Sequence, residues 1–211
     1  FVSTGAGSAT NLAVNLGKQA DLTALSDGAL HQITKLSATD LNSIYTNWST
    51  SGEVSFGIGG YINSGVGTAS KNSVWVSRVS TEGMQSAGYT AGSFSNMAPF
   101  GVKFVPVGSL LNTTPATNNS LSSAALSAVH GQSWSSMVGA GAFDFPGAST
   151  SQMMNPIVFG TNKYVVSDLF VMTSGSATTA KTTYLGTFGL DAEGVLWFSS
   201  SASAFVPGPV I

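Results

Sequence analysis

Two histidines, nine carboxylates, seven basic side chains and no cysteine supply the acid, base and thiol chemistry of this 211-residue chain. General acid–base work needs a positioned proton donor and acceptor, covalent catalysis an activated nucleophile, and a bound metal several converging ligands. Asp191 and Glu193 lie two residues apart before Gly194, and with Asp144 or Asp168 and backbone carbonyls they would make a calcium site. A plain hairpin turn accounts for the same residues. His31 lies in a polar segment, and His130 precedes Gly131 at an expected helix C-terminus, where an imidazole stabilises the last carbonyls. No G-x-S-x-G elbow presents a serine to either histidine. Gly57, Gly59 and Gly60, and then Gly65 and Gly67, fall short of a phosphate-cradling pattern and read as turns or close strand contacts. Trp75, Trp134 and Trp197 would stack on sugar rings if exposed, although tryptophan more often belongs to a core. We therefore expect no enzyme, no catalytic or cofactor-binding residue, no metal and no cofactor.

The elements that would position these groups belong to an uncharged chain. Only 8% of residues are charged, against about 25% in ordinary soluble domains, while serine numbers 33, threonine 21 and glycine 25. Hydroxyls and amides thus keep the surface wet, and little charge repulsion holds copies apart. With 43% hydrophobic residues the chain has ample material for a core, so low charge does not mean disorder. A net charge of −2, with Arg78 the only arginine, argues against nucleic-acid and anionic-membrane partners. No stretch approaches the roughly 20 apolar residues of a membrane span. Residue 1 is Phe, which suits a secreted product whose signal has been removed.

Period-2 runs dominate. Leu12, Val14 and Leu16 alternate in a first strand; further strands fall at 54–58, 73–78 and 101–107, and 163–172, 183–190 and 195–198 form a three-stranded meander turning at 191–194. One helix is expected at 38–48, capped by Ser37 and Asp40, with Leu36 and Leu41 as its staple and Leu41, Ile44, Tyr45 and Trp48 on one face. A second, short helical patch falls at 121–129, and 112–123 reads as a flexible loop. The predicted core comprises Leu12, Val14, Trp48, Phe56, Trp75, Phe104, Leu169, Leu185, Phe188 and Leu196. The fold class is mainly β: an antiparallel β-sandwich or jelly-roll-like domain over 1–202 with one or two short helices, followed by an extended apolar tail at 203–211. Pro207 and Pro209 bar that tail from a central strand, which leaves an edge, a linker or a segment given to a neighbour.

Three stretches carry a family resemblance. The first is Asn11 to Gly17, and the second runs from Leu36 to Tyr61 with Asp40, Leu41, Tyr45, Asn47, Trp48 and the glycine-rich run from Val54 to Gly60. The third runs from Ser167 to Met172, then Tyr184 to Phe198, then Val-Pro-Gly-Pro at 206–209. Together they resemble the bacterial PEP-CTERM proteins, exosortase-sorted components of the surface and exopolysaccharide matrix, whose Val-Pro-Glu-Pro sorting signal would have glutamate where Gly208 stands. The resemblance implies export and an envelope or matrix role, with no shared catalytic residues. The expected function is a secreted bacterial structural protein that self-associates as a subunit of an extracellular biofilm-matrix filament, through Phe205, Val206, Val210 and Ile211. Its partners would be copies of itself and exopolysaccharide. The alternative is a monomeric cell-surface carbohydrate-binding or adhesive module.

Overall fold

A computed structural model describes residues 2–3, 10–33, 36–62, 73–89, 94–113, 123–127, 129–139, 150–173 and 181–206. The strands are β1 (Val2–Ser3), β2 (Thr10–Val14), β3 (His31–Ile33), β4 (Ser55–Phe56), β5 (Gly59–Ile62), β6 (Ser73–Val79), β7 (Ser123–Ser127), β8 (Asn155–Pro156), β9 (Tyr164–Thr173), β10 (Lys181–Asp191) and β11 (Leu196–Ser199). The helices are α1 (Gln19–Thr23), α2 (Ala38–Ile44), α3 (Phe94–Thr113), α4 (Trp134–Gly139) and α5 (Thr150–Met153), with a final 3-10 turn at Ala202–Ala204. The molecule is mainly β. Its two sheets run in the orders β3-β11-β10-β9-β6-β5 and β7-β2-β1-β4-β8, and neighbouring strands are antiparallel throughout.

The six-stranded sheet is covered on both faces, which is why β9 reads as a nearly continuous apolar run. Alternation sends Val165 and Leu169 into one core cluster with Leu12, Phe56, Phe188 and Phe198, and Phe170 and Met172 into another with Val74, Val76, Phe100 and Phe104. The meander forms as its pattern predicts. At its turn Gly194 adopts φ +79° and donates to the Asp191 carbonyl at 3.0 Å. A side chain there would also collide with the backbone of Ala38, so glycine serves both the turn and the seating of α2.

Ser37 caps α2 as expected, accepting from the Asp40 amide at 3.2 Å. The helix ends at Ile44 rather than 48, because Tyr45 turns extended and its hydroxyl donates to the Val2 carbonyl (2.6 Å) and accepts from the Leu12 amide (3.1 Å). That hydroxyl clasps β1 to β2. Predicted core residues are buried except Val14 and Leu185, which are half-buried; Leu185 is the residue bulged out of the β9–β10 register.

Two local expectations are overturned. The stretch 101–107 is part of the 20-residue helix α3, not a strand. Phe100, Phe104, Val107 and Leu111 bury one helical stripe, and the Phe100 and Phe104 rings stack at 4.2 Å, so packing outweighs the two interior prolines. Within the patch at 121–129, residues 123–127 are instead strand β7, whose Ala124 and Ala125 pair with Ala13 and Leu12. His130 consequently lies in a turn before α4, its carbonyl accepting from Ser133 at 2.8 Å, and not at a helix end. Of the expected flexible loop, residues 114–122 lie outside the described residues.

Candidate functional site

The groups singled out for chemistry are occupied with structural work. Asp191 is buried, with one carboxylate oxygen accepting from the Val195 amide and the other from the Trp197 indole, each at 2.8 Å. The pair of donors fixes the hairpin. Asp168, fully buried on β9, accepts from the Thr187 hydroxyl and the Ser86 amide, while Tyr184 lies 2.7 Å from that hydroxyl. Burial pushes the Tyr184 phenol up to about 12, so a neutral phenol backs the Thr187 hydroxyl that, with the Ser86 amide, holds Asp168. Arg78, its cross-strand neighbour, points elsewhere: the guanidinium donates to the Gly88 carbonyl at 3.0 Å and covers the Tyr89 ring. His31 pairs with Asp27 at 2.7 Å, and that hydrogen bond holds the exposed carboxyl below its usual range. Among the described residues no three His, Cys, Asp or Glu converge; Asp144 lies outside them.

The tryptophan platform is overturned for two of its three members. Trp75 and Trp134 are each 6% exposed, as core residues, while Trp197 is half-buried with its N–H on Asp191. A sugar has no row of exposed indoles to stack on here.

The tail divides at Phe205. Its ring is wholly buried, set edge-on against Tyr164 at 5.3 Å in a small cluster with Val166. Gly189 opens the space, since a Cβ there would lie 2.3 Å from the ring. Phe205 is therefore an anchor of its own fold, not a free contact residue, and the domain extends through the 3-10 turn to 205 rather than stopping at 202. Val206, which follows Phe205, is 58% exposed beside Gly83. Val210 and Ile211 lie outside the described residues.

A site that the sequence reading missed lies along α3. Between this helix, β5, β6, α1 and the end of β2 opens a cleft of about 440 Å³, lined among others by Leu16, Leu22, Ile58, Tyr61, Trp75 and Phe104. That volume is within the usual range for ligand pockets, about 300–1,000 Å³. None of its lining residues is Asp, Glu, Lys, Arg or His, and burial raises the Tyr61 phenol, so the cleft is uncharged at neutral pH. α3 can lie this close to β5 because two glycines face each other's neighbours: a Cβ on Gly59 would strike Phe104, and one on Gly101 would strike Tyr61. The cleft continues onto the outer face of α3. Val105 lines it while 44% exposed, Val102 one turn earlier is 68% exposed, and Pro99, Pro106, Gly108 and Ser109 complete an exposed face without charge. Val102, Val105 and Ser109 follow helical spacing, a signal hidden once the segment was read as a strand. Among the described residues no helix is long and apolar enough to cross a membrane.

No protein-family model, no curated protein and no solved structure matches this chain, so the resemblance to exosortase-sorted proteins finds no support there.

Proposed function

We propose that this chain is a secreted bacterial structural protein that self-associates, as a subunit of an extracellular biofilm-matrix filament. One observation carries the reading. α3 is apolar on both sides: Phe100, Phe104, Val107 and Leu111 face the core, whereas Val102 and Val105 face out, and Lys103 is the one charged side chain in its 20 residues. A helix apolar all round is normally buried all round, and contiguous exposed apolar surface marks an interaction site. With 16 ionised side chains in 211 residues, little repulsion opposes such contact.

The role is non-enzymatic and needs no cofactor, a reading supported by buried carboxylates committed to backbone amides, an indole and a hydroxyl. Burial of Trp75 and Trp134 weighs against the carbohydrate-binding alternative. Sedimentation of the purified protein over a wide concentration range, with negative-stain electron microscopy, tests the reading. Concentration-dependent oligomers or filaments are expected; a monomer at every concentration refutes it.

A further inference from the structure

The uncharged cleft has a matching segment in the chain itself. No ionisable side chain occurs after Glu193, and residues 206–211 read Val-Pro-Gly-Pro-Val-Ile. Phe205 fixes the root of this segment in the core of its own molecule, and Val206 emerges 58% exposed beside Gly83. Gly83 follows the Val79 end of β6, whereas the cleft opens at Trp75, toward the other end of that strand. Donor and acceptor are thus different surfaces of one molecule.

Resting on the self-association reading, we propose that residues 206–211 of one copy seat in the cleft between α3, β5 and α1 of a second copy. Neither residues 206–211 nor the cleft bears an ionisable side chain other than the neutral Tyr61 phenol, so the contact strips water from no charged side chain. Pro207 and Pro209 lack amide hydrogens and fix φ, which makes the segment a poor ladder strand but a preorganised extended one. Such segments dock by side chains into aromatic-lined grooves, and Tyr61, Trp75 and Phe104 line this one. Six extended residues reach about 20 Å, enough to lay Val210 and Ile211 against the cleft while Phe205 stays in its own fold. Because the two contacting patches differ, the contact is heterologous and propagates into an open chain unless its rotation closes a ring.

The test uses two variants of the full chain. In Gly108→Glu a charge enters the cleft rim at a position where a Cβ meets nothing within 4 Å, so the fold is kept. Removal of residues 207–211 deletes the donor and leaves Phe205 in place. Each variant alone is expected to weaken association about a hundredfold or more, the loss of two buried aliphatic side chains or the burial of one carboxylate. An equimolar mixture is expected to form a heterodimer and stop there, since only the tail of Gly108→Glu and the cleft of the truncated chain remain competent. Sedimentation velocity reads all three samples. Assembly of either variant at the parent's concentration, or a mixture that stays monomeric, overturns the tail-in-cleft contact while leaving self-association standing. A parent chain that is itself monomeric overturns both.

Discussion

Replacing Phe205 by alanine separates an anchor from a connector. The ring is fully buried between Tyr164, Val166 and the space left by Gly189. Burial of such a side chain is worth about 1.5–3 kcal/mol, and a residual cavity adds about 24 cal/mol per Å³, so core Phe→Ala changes cost about 3–5 kcal/mol. The cluster holds only two other buried residues beside the chain's last 3-10 turn, where partial collapse is easy. The lower end, about 3 kcal/mol, is therefore expected. For a domain of this size each kcal/mol lowers Tm by about 2–4 °C, which gives a fall of about 6–12 °C. Thermal and urea unfolding should be followed in dilute solution, because assembly would add stability by mass action. A Phe205→Ala monomer that melts within a degree of the parent, yet has lost assembly, would show that the ring works in a neighbour and that the buried position is wrong.

Tyr45→Phe removes a hydroxyl that serves both Val2 and Leu12, and leaving such buried groups unmatched should cost about 1–3 kcal/mol in urea unfolding; an unchanged midpoint would deny the clasp. On α3 the same substitution should have opposite signs: Gly108→Ala, with open space around its Cβ, should stabilise by about 0.5–1 kcal/mol, whereas Gly101→Ala, whose Cβ meets the Tyr61 ring at 2.2 Å, should destabilise by about 1–3 kcal/mol. Equal effects in thermal melts would contradict the close approach of α3 to β5. Burial raises Tyr45 and Tyr184 to about 12, above the value near 10 of an unfolded tyrosine. The folded state therefore holds those protons more tightly, and this contribution is whole below pH 10 and lost as pH rises through 12. Phenolate absorbance should show these two residues ionising late, with the urea midpoint falling over that window.

Much of the fold was legible wherever one local rule acted alone. Ser37 and Asp40 announced the start of α2 because a cap is decided within one turn, and the 163–198 meander followed from alternation interrupted by a turn at Gly194. What escaped depended on distant partners. Tyr45 leaves the helix early because Val2 and Leu12, remote in sequence, take its hydroxyl. Phe100, Phe104, Val107 and Leu111 form a helical stripe, but Pro99, Gly101 and Pro106 between them carry the local marks of broken strand, and the packing that overrides those marks is tertiary. The tail looked free because its prolines exclude a ladder; only the gap above Gly189, created by pairing β9 with β10, makes a home for Phe205. The candidate surface on α3 went unread with the helix that bears it.

The five-stranded sheet also has a history written into its order. Its strands come from residues 2–3, 10–14, 55–56, 123–127 and 155–156, and Val2 has partners at both Leu12 and Phe56 while Phe56 also pairs with Asn155. Val2 and Leu12 are near in sequence, but the β1–β4, β2–β7 and β4–β8 pairs close long loops before any contact rewards it, whereas β9, β10 and β11 are joined through adjacent hairpins. By the same argument the meander and the β1–β2 pair are expected to form early, and β4, β7 and β8 to join the five-stranded sheet late. Until they do, the far edges of β1 and β2 are unpaired, so the interval just before completion is when the chain is most exposed to pairing with the wrong partner.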